Sequence, residues 1–476
     1  MAVYDAIQDV TAWLGGLNDW LYTWVMILAL VGTGIFLTIR TRALQLRHFV
    51  GMAKYLTQSR RGSRGGISSF QAFAMGMSTR IGIGNITGIA LAMILGGPGS
   101  LFWMWIVAIV GMSTAFAEAT LAQIFKFRHQ DGSFRGGPAS YIMDGLKSRP
   151  LAVVFACAMV FCMFVAMPMV QANTIAQVIS GAHGIDPWII GLVIAGLTSL
   201  VLFGGVRRVA RATEVISPMM ALFYVGVAVV IIALNITAVP QFFADVFSSA
   251  FGAREAFVGT GSAFVAALLN GTRRGLFSNE AGMGTSPNAA ATATVAHPVQ
   301  QGLIQAFGVF LDTILICTAT GFIISTTGAL DYSRVTADDA AHVTTDAITG
   351  TLGAWMAWPI AIMIFFFGFS SILGAYAYGE ANLVFLKKSR PLDLASRAVL
   401  IVSSFIGSIT ALTFVWAVMD TAMFAVTVLN LVAIVALAPW IMALLRDYEK
   451  QIREGVDPVF QADKAELPGD IPSDIW

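Results

Sequence analysis

"STRIGIGNITG", Ser78 to Gly88, interrupts one of the most apolar stretches of a strongly apolar chain. It holds an arginine, three glycines and four hydroxyl or amide side chains (Ser78, Thr79, Asn85 and Thr87) where a membrane helix would hold leucines. A helix satisfies its own backbone, and unwinding it inside a bilayer exposes N–H and C=O groups that are costly if unpaired. Such backbone persists only where it is buried in protein or lines a cavity. An unwound stretch also leaves two helix ends face to face. The amino end offers N–H groups and about half a positive charge, which suits a carboxylate, and the carboxyl end suits a dehydrated cation or an ammonium group.

The surroundings are those of a membrane protein. Of 476 residues, 57% are hydrophobic and 12% charged, with a mean hydropathy of +0.77; soluble domains carry about 25% charge. Eleven spans are expected, at roughly 21–39, 69–95, 99–125, 152–180, 188–205, 214–236, 260–295, 302–325, 355–386, 396–414 and 421–445. The ten-residue alternation of a barrel is absent. The fold class is therefore all-α and polytopic.

Charge supports this count. With the N-terminus outside, the inner loops 40–68, 126–150, 206–213 and 387–397 hold 19 Lys or Arg residues. The outer connections hold two, Arg254 and Arg334. Loops that retain basic residues stay cytoplasmic, so the C-terminus falls inside and the chain belongs in the cell membrane, in contact with lipid. A missed span would invert every later loop. The net charge of +1 points to no nucleic acid or other partner, and oligomeric state is not legible. Cys157, Cys162 and Cys317 lie in apolar spans and imply no disulfide framework. "MAVYDAIQDVTAWLGGLNDW" at the N-terminus lacks a basic n-region and a small-residue cleavage site, and is not read as a cleaved signal.

Leaving the first span aside, ten remain, as two sets of five. An odd number per set inverts the second relative to the first. The first span of each set is interrupted: "STRIGIGNITG" in one and "LFSNEAGMGTSPN", Leu276 to Asn288, in the other. Paired interruptions of this kind point to a secondary transporter with inverted repeats. Four segments follow: a peripheral N-terminal part (1–68), two five-helix repeats (69–236 and 260–445) and a soluble, partly disordered cytoplasmic tail (446–476). No residue-level repeat links the halves.

Glycines also serve close helix packing, as in Gly84-x-x-x-Gly88. Packing alone needs no charge or amide, and both interruptions carry one. Arg80, Glu118, Arg273, Arg274, Glu280, Asp312 and Glu380 are the intramembrane charges. Mutual pairing is the plain expectation: Arg273 and Arg274 with Glu280, and Asp312 across from Arg80. Glu118, Asp312 and Glu380 are expected in structural or gating roles. Glu280, inside the break, is a candidate for a substrate ammonium or a coupling ion, and Gln171, an amide in a proline-bearing span, for substrate contact. An enzyme is disfavoured: there is no Gly-x-Ser-x-Gly elbow, no His-Glu-x-x-His and no mid-span histidine base. A channel would need a repeated pore loop or charge ring, and neither is visible.

At these residues the chain resembles the alanine or glycine:cation symporters, the sodium:alanine symporter family. "GGPGSLFWMWIVAIVG" (Gly96–Gly111), "RRGLFSNEAGMGTSPNAAA" with "HPVQQG", and "GVFLDTILICTATGFI" carry the likeness, which spans roughly Gly65 to Leu386. The resemblance implies a leucine-transporter type of fold, with one extra helix before a core of five plus five. It also implies import of a small neutral amino acid, chiefly alanine or glycine, with Na+ and sometimes H+, by alternating access coupled to Na+.

The wider fold shares an apolar-Gly-apolar-Gly-Asn run, matched by Ile81-Gly82-Ile83-Gly84-Asn85. By that match the N–H groups of Ile83 and Gly84, beside Gly82, hold the substrate carboxylate, and Asn85 lies nearest substrate or a second cation. Carbonyls of Ser78 and Ile81, with the hydroxyls of Ser370 and Ser371, take one Na+. Phe277, Ser278 and Asn279 match the unwound stretch bordering substrate. Two departures stand out. Ile83 replaces the family's usual threonine, and Arg80 is foreign to the wider fold, so a second Na+ site copied from that fold is not expected beside it. H+ coupling through Glu280 or Asp312 is the alternative.

Overall fold

The computed structural model describes residues 2–58, 67–129, 132–203, 206–251, 262–330, 334–387, 389–471 and 475–476. Arg60, Arg61, Arg64, Arg254 and Lys388, all used in the charge argument, lie outside the described residues, as does the start of the expected 260–295 span. The protein is an all-α polytopic membrane protein, 82% helical. Among the described residues, sheet is limited to a two-stranded hairpin, Phe127–Arg128 with Phe134–Arg135, and one bridge, Ile67 to Ala293.

Apolar runs long enough to cross a bilayer form the frame. The first is α1 (Ala6–Arg40). Next come α2 (Ser69–Arg80) and α3 (Thr87–Gly96), a single span bent by 53° at the first interruption. Ser68 starts α2 with a capping box: its hydroxyl accepts from Gln71 N, and the Gln71 side chain accepts from Ser68 N. α4 (Ser100–Ile124) and α5 (Arg149–His183) follow, then α6 (Pro187–Leu202) and α7 (Val206–Leu234). The second interrupted element begins with α8 (Ser262–Asn279). The chain continues through α9 (Pro298–Thr326), α10 (Ala357–Leu386), α11 (Arg390–Ile409), α12 (Leu412–Ala436) and α13 (Ala438–Arg453).

Two connections between the long helices contain helices that hydropathy did not suggest. After α7 the chain turns by 80° into Val239–Ala250, which packs on α4. Ala340–Leu352 packs on α3. Both are too short to span, which is why a span search passes over them. The last span also lies earlier than expected, at Leu412–Ala436 rather than 421–445. Leu437 breaks it, and the amphipathic α13 runs on from there. Beyond α13 the chain folds back, with Phe460 N donating to Ala296 O and the Trp476 indole to Gln123 O.

Helices α4, α8 and α9 pack on one another through small residues at close crossings. The charges within α8 pair differently from expectation. Arg273 meets Asp19 of α1 at 2.7 Å and Arg274 meets Asp420 of α12 at 2.5 Å, so neither reaches Glu280. The reason is helical: the two arginines sit on turns that face α1 and α12, while Glu280 lies beyond the end of α8. Arg274 also lies over Trp416, 4.1 Å from the ring centroid.

Removing one partner of a buried pair leaves an uncompensated charge, at about 3–5 kcal/mol. Asp420→Asn is therefore expected to lower the melting temperature in detergent clearly, and Asp420→Asn with Arg274→Gln to recover much of the loss. Equal melting of the single variant and the parent would contradict this.

Candidate functional site

The first break is produced by local chemistry. In an uninterrupted helix the carbonyls of Ser78, Thr79, Arg80 and Ile81 would accept from residues 82 to 85. Here Gly82 N donates instead to Asn85 Oδ1 at 3.2 Å, and Asn85 N to Gly82 O. Ile83–Asn85 form one tight turn. Among the described residues, the N–H groups of Ile83 and Gly84 meet no acceptor. These are the two groups expected to hold a carboxylate, and Ile83 in place of threonine leaves both intact.

The released carbonyl of Ser78 is taken up by α10. Ser371 Oγ lies 3.0 Å and Ser370 Oγ 3.5 Å from it, and each hydroxyl also reaches Phe367 O at 3.0 Å. Ser78, Ser370 and Ser371 are thus assembled and wholly buried. Ile81 sits beside them, its N–H bonded to Met77 O. A Cβ at Gly82 would stand 2.7 Å from Ser371 Oγ and 3.9 Å from Gln171 Oε1. Glycine is required there by proximity, and the same distances place Gln171 of α5 against the break. Gln171 Oε1 is buried with no hydrogen-bond partner.

The second break starts later than expected. Phe277, Ser278 and Asn279 close the last turn of α8, and the chain unwinds from Glu280, where φ is +54°. Gly282 (φ +90°) and Gly284 (φ +80°) continue the turn in backbone that side chains rarely adopt. Short helix Ser286–Ala290 follows. Unlike the first break, this one has the amides of its glycines filled. Gly282 N and Gly284 N donate to the two carboxylate oxygens of Glu118 at 3.1 and 2.9 Å, and Ala281 N donates to Asn279 Oδ1. Asn430 of α12 donates to Glu118 Oε1 at 2.5 Å and to Gly282 O. The expectation of a structural role for Glu118 agrees with this geometry.

The two breaks touch. A Cβ on Gly84 would lie 2.7 Å from the Phe277 ring, and Thr79 Oγ1 donates to Glu280 Oε2 at 3.2 Å. Glu280 Oε2 also accepts from Thr285, while Oε1 is buried and unpartnered. Asn85 and Ser278 converge on Asp312, with Asn85 Nδ2 donating to Oδ1 at 2.6 Å and Ser278 Oγ to Oδ2 at 2.5 Å. Asp312 does not face Arg80. It lies in the widened turn Phe310–Cys317, whose extra residue turns the carboxylate towards Asn85. Arg80 instead donates to neutral acceptors, Gln305 O and Oε1 and Ser286 Oγ. Glu380 stands apart from the breaks, 3.9 Å from Arg135 near the hairpin. Both ends of Asn85, expected nearest substrate or a second cation, are engaged within the protein. Thr344 was missed: from Ala340–Leu352 it donates to Ile86 O, just past the first break. Its loop context hid it.

Spans packed around two buried, touching helix breaks define a membrane carrier rather than an enzyme. A model of the sodium:alanine symporter family matches residues 7–462, and the chain belongs to that family. It is similar to the amino-acid carrier protein AlsT of Bacillus subtilis (42% identical, covering 94% of each chain). It is also similar to a probable sodium/glutamine symporter, GlnT, of the same bacterium (41%, 94% of this chain and 93% of that one). The sodium/alanine symporter AgcS of Methanococcus maripaludis is 36% identical, over 90% of this chain and 95% of that one.

Glu118→Ala would leave two buried N–H groups unpaired, each at about 1–3 kcal/mol. Its expected outcome is a lower melting temperature in detergent and at least a tenfold loss of uptake per folded molecule, with Glu118→Gln in between. A variant that melts and transports like the parent would remove Glu118 from this role.

Proposed function

We propose that the protein imports a small neutral amino acid, alanine or glycine, together with Na+ by alternating access. The observation that supports this best is the bonding of the first break: two N–H groups without acceptors beside a released Ser78 carbonyl and two buried serine hydroxyls. The N–H groups of Ile83 and Gly84 take the carboxylate, at a helix end that favours negative charge. Ser78 O, Ile81 O, Ser370 Oγ and Ser371 Oγ surround Na+, a hard cation suited by oxygen donors. Gln171 Oε1 and Glu280 Oε1, both buried without partners, are placed to accept from the substrate ammonium. Phe277 and Ser278 form the opposing wall, and Asn85 shapes the site by holding the turn.

Coupling to Na+ supplies ample driving force. One charge crossing about 100 mV contributes about 2.3 kcal/mol, and a tenfold Na+ gradient about 1.4 kcal/mol more. The two together support accumulation by several hundredfold per Na+. A relative described as a putative sodium/proton-dependent alanine carrier, YrbD, and the half-bonded carboxylate of Glu280 support a second reading with H+ as the coupling ion. The glutamine named for GlnT makes a longer side chain the competing substrate. The basic inner loops favour an external N-terminus and a cytoplasmic C-terminus, with five-helix inverted repeats as the organisation.

Alanine uptake into proteoliposomes under an imposed Na+ gradient, with pH clamped, is the test. Uptake is expected to follow Na+; uptake driven by a pH step and indifferent to Na+ would establish the second reading instead. Ser370→Ala/Ser371→Ala is expected to raise the Na+ concentration for half-maximal uptake by tenfold or more. An unchanged Na+ dependence would exclude that ion site. Competition by unlabelled glycine, serine and glutamine ranks the substrates.

A further inference from the structure

Far from the breaks, where α1 ends, the chain makes a turn with two successive non-glycine residues in left-handed backbone, Arg42 (φ +54°) and Ala43 (φ +53°). Arg47 holds that turn: its Nε donates to Arg42 O and its Nη2 to Thr41 O, both at 2.8 Å. The same Nη2 reaches Glu449 of α13 at 2.7 Å. The turn and α13 thereby enclose a cleft of about 390 Å³ rimmed by Arg40, Arg42, Arg47, Arg446 and Arg453 and floored by Met442 and Leu445.

The charge of this cleft is unbalanced. Its one carboxylate, Glu449, is already bonded to Arg47 and His48. Arg40, Arg42, Arg446 and Arg453 make no ion pair among the described residues. Arg446 and Arg453, seven residues apart on one helix, share a face turned to the strained Arg42 turn. Four guanidinium groups aimed at one small volume repel one another unless an anion joins them, and guanidinium forks match phosphate oxygens.

The setting says which anion. Arg40 is the last residue of a membrane span, which puts the rim at headgroup level. Next to it Leu46 is 75% and Val50 81% exposed. Large aliphatic side chains on the segment that carries Arg42 and Arg47, with a basic cleft roomier than a bare phosphate, suit an amphiphile with its headgroup on the arginines and its chains along Leu46 and Val50. A soluble phosphate would leave that apolar surface uncovered.

We propose that this cleft binds the phosphodiester headgroup of an anionic phospholipid, bridging the end of α1 to α13. Transport coupling plays no part in the inference, and it stands whichever ion drives uptake. The probe is dioleoyl-phosphatidylglycerol, with dioleoyl-phosphatidylcholine as the uncharged comparison, added to delipidated protein and read by native mass spectrometry. At least tenfold preference for phosphatidylglycerol is expected. Arg42→Gln/Arg446→Gln/Arg453→Gln should reduce that preference to threefold or less, and the corresponding Arg→Lys triple should retain most of it. Lys450→Gln, on α13 but outside the cleft, should change nothing. Should the triple variant fail to fold, Arg42→Gln and Arg446→Gln are each expected to weaken retention about threefold. Equal binding of the two lipids, or full retention by the arginine variants, overturns the proposal. Displacement of the lipid by glycerol 3-phosphate at equal concentration also overturns it, because the site would then serve a soluble phosphate.

Discussion

Unwound peptide buried among helices has to find partners for its N–H and C=O groups, and the rest of this structure follows from how it does so. Water cannot supply them inside a packed bundle, so each must come from a side chain or a ligand. At the second break they come from Glu118, which spends both oxygens on Gly282 and Gly284 and is held in turn by Asn430. Three separate spans, α4, α8 and α12, are thereby tied at one carboxylate. At the first break Asn85 takes the Gly82 amide with its oxygen and offers its nitrogen to Asp312. Among the described residues, neither carboxylate pairs with a basic side chain. Both are used as hydrogen-bond acceptors in a setting where an acceptor is worth more than in water.

Arg80 follows the same logic with opposite sign. Buried in the middle of the fold, it finds carbonyl and hydroxyl oxygens rather than a carboxylate. Its charge still acts at a distance on Glu118, Glu280 and Asp312, none of which it touches. Direct pairing would lock α2 to one neighbour, because breaking a desolvated ion pair is costly. Neutral acceptors leave the helix that carries the first break with weaker ties. The strong buried pair, Arg274 with Asp420, ties α8 to α12 instead.

Much of the architecture was legible because a bilayer limits what backbone can do. Apolar runs located the spans, and two polar, glycine-rich stretches located the breaks. The match to the wider fold pointed to Ser78, Gly82, Ser370 and Ser371, and an amide in a proline-bearing span pointed to Gln171; the fold brings them together. Partner choice was not legible. Whether Asp312 meets Arg80 or Asn85 depends on a single extra residue in a helical turn, and hydropathy is blind to it. Arg273 and Arg274 were near Glu280 in sequence but face other helices, since position around a helix, not separation along it, decides contact. Phe277 to Asn279 were matched to the unwound stretch of the wider fold, yet helix geometry persists until the positive φ of Glu280. Short helices such as Ala340–Leu352 carry no span signal, so Thr344 was hidden.

The two breaks are consequently unequal, although the layout of the sequence presents them as a matched pair. The second is closed by residues of its own chain, the amides of Gly282 and Gly284 being spent on Glu118. The first keeps the amides of Ile83 and Gly84 uncommitted, next to Ser78 O and the two serine hydroxyls bonded to it and beside a glycine whose Cβ would crowd Ser371. A ligand that brings both a negative and a positive end completes the first break in the way Glu118 completes the second. On this view substrate is the missing capping group of a discontinuous helix. Its binding energy then goes into joining α2 and α3 to α5 and α10, and that is the coupling a carrier needs between occupancy and movement.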